Sequence, residues 1–591
     1  MNLLKRKGKM NMKKLLKSLL AIAAAFLMVF SLGTAVNANY DDTKKATITV
    51  TDTSGVAGST FKAYQILELS NSDTNYTYYV PDTYRPLLKS VLSKADSKYS
   101  NVDSISDQDI IDYIDKLDDD PTTNDTKTRE FAEAVYQEIL NRNITPTDSD
   151  ESKIDIDNDE AKVSFTVPQG YYLIAEEDAA GSNTDSLVLL TTNGEKGITI
   201  STKEKAPTVE KKVLEHNDST QKEGENSEYQ DAADWDINDK VPFQLEGTVS
   251  NKIDNYSTYS YKFADKLSSG LTYDEGSLHV YIKNGESEYE VKNVTGTGTD
   301  KTAGYVIKTS GDSDDKYTIN NGYEPNLVVE FQDLKLVQDT NNNRITVNAD
   351  SVVYVRYTAT LNKDAVIGNN GNPNDVVLKF ENNPYYNGKG THTPGETPKD
   401  EVVVFTYSTE FNKTQADGTT PLAGADFKLE KLVKDKNGDD TWFEVGSPNN
   451  PGIKEAVGSD TTKFVFKGLD AGTYRLTETT TPDGYKTMSP VQFEIKATRA
   501  DNEDKDHSIN DNTMLTGLSG VITTDGMVNL GTFTNTDTKI NGKLKANVKN
   551  ESGSELPGTG GIGTTMFYVV GGGLVAIAAA LLISKKRASA E

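Results

Sequence analysis

Short runs in which apolar and polar residues alternate recur along most of the chain, and they predict β-strands. Examples are "ATITVTDTSG", "STFKAYQILEL" and "AKVSFTVPQGYYLIAEE", all in the first half of the sequence. A period of two places one face of each strand in a core and the other in water, and turn residues separate the runs. The pattern therefore predicts an all-β fold made of tandem Ig-like β-sandwich modules.

One stretch of the first third has a helical period instead. Apolar residues three and four positions apart mark "YRPLLKSVLSKADSKY", "SDQDIIDYIDKL" and "TKTREFAEAVYQEIL", and Ser106 stands where an N-cap belongs. We therefore predict that the first module carries a helical insert.

Changes in composition and turn residues divide the exported part of the chain into three blocks. The boundaries predicted are residues 39–203 for the N-terminal module, 204–400 for the second and 401–552 for the third. Residues 1–38 and 553–591 have the character of targeting segments.

The first and third blocks share two segments in the same order. "GSTFKAY" at residues 58–64 is similar to "GADFKLE" at 424–430, and "GYYLIAEE" at 170–177 is similar to "GTYRLTET" at 472–479. Two matches in one order favour a single fold used twice.

The N-terminal segment has the layout of an export signal. Lysines and one arginine precede an apolar stretch from about Leu19 to Leu32, and the "VNA" that follows offers small residues for a signal peptidase. We predict Ala38 as the last residue removed.

The C-terminal segment combines a short motif, an apolar run and a basic tail. The run Met566–Ile583 is long enough for one membrane helix, and three cations follow it. The motif before it resembles the sorting signal of Gram-positive wall proteins, which sortase cuts between threonine and glycine. Its residues are Leu556, Pro557, Gly558, Thr559 and Gly560. The resemblance implies that the membrane helix anchors only the precursor.

Composition removes several classes of function. The formal charge of −27, without any basic stripe, argues against nucleic acid as a partner. The absence of cysteine excludes disulfides and thiolate chemistry. The acidic run "DIDNDE" at residues 155–160 lacks the glycine and the later glutamate of a calcium loop, so a solvated turn is favoured. We predict no metal site and no cofactor.

Each of the two later modules places a lysine on an opening strand, an acid in the middle and an asparagine near the end. In the second, Lys211 alternates with Val209 and Val213, an unusual position for a charge, while Asp265 and Asn382 also share the alternation of apolar neighbours.

The third module repeats the order with Lys413, Glu478 and Asn550. Apolar burial lowers the pKa of a lysine and raises that of a carboxyl, so a neutral amine could attack the asparagine amide and release ammonia.

The whole architecture resembles the backbone (major) subunit of sortase-assembled Gram-positive pili. The second module is similar to the CnaA-like domain of that family, and the third to its CnaB-like domain, where "YRLTETTTPDGY" matches the E-box. The resemblance implies intramolecular Lys–Asn isopeptide bonds. Lys211 would join Asn382 with Asp265 as catalyst, and Lys413 would join Asn550 with Glu478 as catalyst.

Alternatives remain at several of these positions. Lys212 and Asn383 compete in the second module, and Asn535 competes in the third. In the first module Glu176 matches the E-box glutamate, but the alignment puts Thr47 where Lys413 should lie, so we predict no bond there.

The family also implies an amine that accepts the cut threonine. Its lysine ends the first module in a YPK-like motif, and the matching stretch "GITISTKEKAPTVEKK" aligns Lys203 with it, although serine and threonine replace the aromatic residue and the proline. Lys205 and Lys196 are the alternates.

The function expected is therefore structural. The chain would be a pilus shaft subunit at the cell surface, with sortase, identical head-to-tail subunits, peptidoglycan and minor pilins as partners. It would not be an enzyme beyond forming its own amides. The alternative is a monomeric adhesin anchored to peptidoglycan. A wall-tethered hydrolase finds no support, since none of the four histidines lies in a catalytic or metal-binding motif.

Overall fold

A computed structural model describes most of the exported part of the chain. It covers residues 44–553 except 53–57, 73–74, 118–126, 152, 156–159, 178–185, 193–196, 203–205, 222–227, 297–299, 310–322, 386–393, 449, 451, 456–460, 501–512, 525–528 and 535–539, and also Leu574, Val575 and Ala578. The predicted export signal and the sorting motif therefore lie outside the described residues. In the described part of the chain, no helix combines the length and the apolar character needed to span a membrane.

The chain forms two compact units. The first takes its described residues from Met1–Pro207, Ser250–Tyr259 and Phe380–Glu396, and the second from Thr208–Val249, Ser260–Lys379 and Thr397–Glu591.

The first unit contains a β-sandwich of two sheets. Its strands are β1 (Lys45–Asp52), β2 (Thr60–Ser72), β3 (Asn75–Tyr79), β4 (Asp148–Glu151), β5 (Lys153–Asp155), β6 (Glu160–Pro168), β7 (Gly170–Glu177), β8 (Leu187–Thr191) and β9 (Ile198–Thr202). One sheet has the order β5-β6-β1-β9, and the other has the order β3-β2-β7-β8 with β4 added to β2. Apolar side chains of both sheets, such as Ile48, Phe61 and Phe165, form the core between them.

Three helices cover the outer face of the second sheet. They are α1 (Arg85–Ala95), α2 (Asp107–Asp115) and α3 (Lys127–Arg142). Ser106 caps α2 through a capping box with Asp109, as the sequence predicted. A second cluster of buried apolar residues joins the helices to β2 and β7, so β7 is buried on both faces. The predicted helical insert is therefore confirmed.

The second unit begins with a pair of larger sheets. The strands of the first of these are β10 (Val209–Glu215), β11 (Glu228–Gln230), β13 (Lys240–Thr248), β15 (Leu271–Tyr273), β16 (His279–Asn284), β17 (Ser287–Glu290) and β20 (Val352–Leu361). Their order is β11-β10-β13-β20-β16-β17, and β15 pairs with β20.

The facing sheet carries the remaining strands of this sandwich. These are β12 (Ala232–Asp234), β14 (Tyr261–Leu267), β18 (Val306–Thr309), β19 (Leu327–Phe331), β21 (Asn372–Phe380) and β23 (Asp400–Phe405), whereas β22 (Gly395–Glu396) falls among the residues of the first unit. Their order is β12-β23-β21-β14-β19-β18.

The last sandwich of the second unit has a four-stranded and a five-stranded sheet. Its strands are β24 (Tyr407–Gln415), β25 (Asp426–Lys434), β26 (Asp440–Glu444), β27 (Ile453–Glu455), β28 (Lys463–Leu469), β29 (Gly472–Thr480), β30 (Val491–Arg499), β31 (Leu515–Ile522) and β32 (Lys543–Asn550). The sheet orders are β27-β28-β24-β32 and β26-β25-β29-β30-β31, and a core rich in phenylalanine lies between the sheets. The predicted all-β fold of tandem sandwiches is confirmed.

The first and last sandwiches repeat one fold, as the matched segments predicted. In the first, β2 pairs with β7 so that Phe61 stands opposite Glu176, and in the last, β25 pairs with β29 so that Phe427 stands opposite Glu478. In both, the opening strand lies parallel to the closing strand, β1 with β9 and β24 with β32.

The opening strand of the first sandwich differs in its inward face. The buried residues of β1 are Ala46, Ile48 and Val50, whereas Thr47 is exposed and pairs with Thr166. Thr47 therefore does not take the place of Lys413 in the core. Apolar residues fill the described inward positions of this strand.

Candidate functional site

Lys211 lies in the core of the middle sandwich. It stands on β10 beside the buried Val213, and its side chain is 0% exposed, so the alternation that singled it out in the sequence does place it inside. The strand is held by its ladder with β13 and by the Asp400 carboxylate, which accepts the Lys211 backbone N–H at 2.6 Å.

The amine of Lys211 contacts one carboxylate and one amide, and it also donates to the Tyr357 hydroxyl at 3.3 Å. Nζ lies 2.7 Å from Asp265 Oδ2 on β14 and 2.8 Å from Asn374 Oδ1 on β21, both on the facing sheet. A fourth group completes the cluster, because the Tyr357 hydroxyl on β20 donates to Asp265 Oδ2 at 2.8 Å and accepts from Asn374 Nδ2 at 2.8 Å.

The asparagine in contact with Lys211 is Asn374 and not Asn382, which the sequence analysis had favoured. Asn374 belongs to the same alternating row as Val376, Leu378 and Phe380, and Asn382 follows two residues beyond the end of β21. The hydrophobic pattern identified the correct face of the strand. It could not identify the position along the strand, because that depends on strand register across the sandwich.

Burial shifts both ionisable partners of this cluster toward their neutral forms. Removal from water lowers the pKa of Lys211, and the nearby Asp265 only partly opposes this. Burial likewise raises the pKa of Asp265, opposed by Lys211. A neutral amine beside a protonated carboxyl is the state that can attack an amide.

Lys413 forms a similar cluster in the last sandwich. Its amine contacts Asn550 Oδ1 and lies 3.3 Å from Glu478 Oε1, and the side chains of Lys413 and Glu478 are 0% exposed. Asn550 Nδ2 donates to Glu478 Oε1 at 2.9 Å. The sequence analysis grouped these same residues, and the structure brings all of them together.

The pairing of the strands explains why these three side chains come into contact. β24 and β32 run parallel, with Lys413 opposite Val548 and Asn550 two residues further, while Glu478 reaches in from β29 on the other sheet. Glu478 Oε2 is oriented by the Met488 backbone N–H at 2.8 Å. Burial lowers the pKa of Lys413, and Glu478 opposes the shift.

The competing residues of the middle sandwich have other contacts. Lys212 points away from the cluster and pairs with Asp231 at 2.6 Å and with Glu210 at 2.9 Å. Asn383 accepts the Tyr385 backbone N–H at 2.8 Å, as expected of a turn residue. Asn535, the competitor in the last sandwich, lies outside the described residues.

In the first sandwich, Glu176 is buried in the position that matches Glu478. It accepts a hydrogen bond from the Ser186 hydroxyl at 2.8 Å. Lys203 and its alternates Lys205 and Lys196 lie outside the described residues. The acceptor lysine therefore stays a prediction.

A third buried lysine escaped the sequence analysis. Lys431 on β25 is 0% exposed, and its amine contacts Asp218 at 2.7 Å and Asp236 and Asp470 at 2.6 Å. It shares the inward alternation of Phe427 and Leu429, which is the same signal that identified Lys211.

The charge balance around Lys431 is the opposite of that around Lys211. Burial alone would lower the pKa of Lys431, but three carboxylates outweigh it and hold the pKa well above the ordinary value. Asp218, Asp236 and Asp239 also bring carboxylate oxygens within 4.8 Å of one another, and the Lys431 ammonium contacts two of them, Asp218 and Asp236. This lysine is therefore a buried ion-pair partner and a poor nucleophile.

The Lys431 cluster predicts a large stability effect. Lys431→Ala would leave buried carboxylates without a counter-charge, so we expect a loss of about 3–5 kcal/mol in the free energy of unfolding. Lys434→Ala is the matched control on the same strand, where the partly exposed pair with Asp440 should contribute at most about 1 kcal/mol. Urea unfolding of the two variants measures the difference, and equal losses would contradict the interpretation.

Together, these features define a protein of tandem β-sandwiches, two of which bury a lysine amine against a carboxyl and an asparagine amide. Comparison with known proteins finds similarities to parts of this chain. Residues 407–513 match the SpaA prealbumin-like fold domain. The trypsin-resistant surface T6 protein of Streptococcus pyogenes serotype M6 is 24% identical in an alignment of 370 residues that covers 55% of this chain and 60% of that protein.

Solved structures of similar proteins include two pilins. The T6 backbone pilin of the same Streptococcus pyogenes serotype has a TM-score of 0.46 at 15% identity, covering 87% of this chain and 100% of that one. The major pilin SpaD from Corynebacterium diphtheriae has a TM-score of 0.42 at 14% identity, covering 88% and 100%. The resemblance to backbone pilins that the sequence motifs indicated is confirmed.

Proposed function

We propose that this chain is the shaft subunit of a covalently polymerised pilus on the cell surface, braced by amide bonds within each of its two later sandwiches. The observation that carries the proposal is the pair of buried clusters in which a lysine amine touches an asparagine side chain beside a carboxyl. The similarity to backbone pilins supports the same function.

The chemistry is simplest in the last sandwich. Neutral Lys413 Nζ attacks the side-chain carbonyl carbon of Asn550, beside the Glu478 carboxyl, which contacts both Lys413 Nζ and Asn550 Nδ2. The proton given up by the attacking nitrogen passes through the carboxyl of Glu478 to Asn550 Nδ2, which leaves as ammonia. One C–N bond forms and one breaks, so no oxidant or external catalyst is needed.

In the middle sandwich the proposed bond joins Lys211 to Asn374, with Asp265 as the acid. The contact of Lys211 Nζ with Asn374 Oδ1 at 2.8 Å supports this assignment over Asn382. Since β10 and β21 belong to facing sheets, this bond would tie the two sheets together. The bond in the last sandwich would instead join neighbouring strands of one sheet.

The assembly steps follow from the sequence motifs. Export would remove residues 1–38, and sortase would cut between Thr559 and Gly560 and join Thr559 to Lys203 of a neighbouring subunit, or to peptidoglycan at the base. The precursor would be membrane-anchored only until that cut. The remaining modules would be residues 39–203, 204–400 and 401–552, stacked head to tail, with minor pilins as further components.

Mass spectrometry of the ectodomain tests the internal bonds. We expect the wild-type protein to lack two ammonia molecules relative to its sequence, because each Lys–Asn bond releases one. Asn374→Ala should restore one of the two, whereas Asn382→Ala, the matched control, should restore none. If Asn382→Ala restores the mass and Asn374→Ala does not, the assignment made from the structure is wrong.

Thermal unfolding tests what the last bond contributes. Glu478→Gln keeps the shape of the side chain but removes the acid, so the bond should not form. A cross-link that closes a loop of this length contributes about 3–5 kcal/mol, which is a fall of about 10 °C in Tm. Glu410→Gln makes the same change at a partly buried carboxylate that lies 3.6 Å from Lys543, outside the Lys413 cluster, and it should melt close to the wild type. Equal melting temperatures for both variants would count against a bond at this site.

Immunoblots of cell-wall extracts test polymerisation. The wild-type strain should give a ladder of high-mass species that resists boiling in detergent, and Lys203→Ala should reduce it to one band. Lys205→Ala is the control and should leave the ladder intact. A single band from the wild-type strain would instead support a monomeric adhesin.

A further inference from the structure

The two Lys–acid–Asn clusters differ at the nitrogen that must leave. In the last sandwich one carboxyl serves both reacting nitrogens, because Glu478 Oε1 lies 3.3 Å from Lys413 Nζ and 2.9 Å from Asn550 Nδ2. A proton released by the amine can therefore reach the departing nitrogen through this single group.

In the middle sandwich the acid and the departing nitrogen are joined by a hydroxyl. Asp265 Oδ2 lies 2.7 Å from Lys211 Nζ, and among the described residues the hydrogen-bond partner of Asn374 Nδ2 is the Tyr357 hydroxyl at 2.8 Å. The same hydroxyl lies 2.8 Å from Asp265 Oδ2. Tyr357 thus stands between the acid and the leaving group.

We propose that Tyr357 is a catalytic residue of this second reaction, and that it relays a proton from Asp265 to the departing nitrogen of Asn374. The inference rests on the proposed Lys211–Asn374 bond and adds a residue to it. It also distinguishes the two clusters by mechanism, with direct proton transfer in one and a phenol relay in the other.

The relay balances with the bond changes. Lys211 Nζ attacks Asn374 Cγ, and in the tetrahedral intermediate Nδ2 is no longer an amide nitrogen, so it becomes a proton acceptor. Tyr357 gives Nδ2 its proton and takes one from Asp265, and Asp265 takes one from the attacking nitrogen. Ammonia leaves, and the hydroxyl and the carboxyl end in their starting protonation states.

The surroundings of Tyr357 suit such a role. Its ring stacks on Phe243 at 5.4 Å between centroids and meets the edge of Tyr273 at 6.0 Å, so the hydroxyl is held in place. Burial raises the pKa of Tyr357 well above its ordinary value, which keeps the phenol protonated and able to donate. The other oxygen of Asp265, Oδ1, is buried and has no hydrogen-bond partner among the described residues, which favours the uncharged carboxyl.

The placement of the acid explains why a relay is required. Asp265 and Asn374 lie on neighbouring strands of one sheet, and Lys211 and Tyr357 come from the facing sheet. In the last sandwich the acid instead faces both the lysine and the asparagine from the opposite sheet. A hydroxyl from the facing sheet supplies the contact that Asp265 does not make.

The test follows bond formation in time. The full ectodomain is made by cell-free translation and kept in denaturant so that neither bond forms. It is then refolded by dilution, and the two cross-linked peptides are quantified over time. Tyr357→Phe should slow the Lys211–Asn374 bond about 100-fold, the usual contribution of a general acid. The Lys413–Asn550 bond of the same molecules should form at the wild-type rate. Tyr354→Phe, which removes a hydroxyl from the outer face of the same strand, should close both bonds normally.

The outcomes separate the relay from the bond itself. A wild-type protein that never forms the Lys211–Asn374 peptide contradicts the proposed function, whereas equal rates in wild type and Tyr357→Phe overturn only the relay. Asp265→Asn should fold without forming the Lys211–Asn374 bond. Its melting temperature is therefore the value expected of a Tyr357→Phe variant that is folded but not cross-linked. If Tyr357→Phe melts below Asp265→Asn, the phenylalanine itself disturbs the fold, and the experiment is repeated with 3,5-difluorotyrosine at position 357. That more acidic phenol should speed closure, and an unchanged rate overturns the relay.

Discussion

Enclosing a lysine amine in an apolar sandwich core is the constraint on which the chemistry of this protein depends. The number of carboxylates beside the amine decides the result. Lys211 and Lys413 each have one acid at the amine, and desolvation prevails, so the pKa of the amine falls. Lys431 has three, and their charge prevails, so the amine stays an ammonium. The same residue type on the same kind of strand face therefore gives an amine with a lowered pKa in two places and a buried ion pair in the third.

Most of the fold could be predicted from the sequence, because period-two alternation and turn residues are local signals. The similarity between residues 58–64 and 424–430 even anticipated the matching register of Phe61 with Glu176 and of Phe427 with Glu478. What the sequence could not show is which strands become neighbours. The parallel pairing of β12 with β23, for example, joins segments far apart in the chain, and no local pattern encodes such a contact.

The candidate site, too, could be predicted from the sequence only in part. Lys211, Asp265, Lys413, Glu478 and Asn550 stood out as polar residues in apolar rows, and the structure brings them into two clusters. Asn374 and Asn382 belong to the same alternation of inward positions, so only the register of strands across the sandwich decides which of them contacts Lys211. Tyr357 was hidden for another reason, since a tyrosine in an alternating apolar row is indistinguishable from an ordinary core aromatic until its hydroxyl contacts are known.

The parallel pairing of β24 with β32 has a mechanical consequence of its own. The two strands enter and leave the last sandwich side by side, in register from Ser408 opposite Lys543 to Gln415 opposite Asn550. A force that stretches the chain from both ends would slide one strand along the other, so every rung of the ladder must break together. Antiparallel end strands would instead peel apart one rung at a time. The strand order thus gives this sandwich a shear geometry before any covalent link forms.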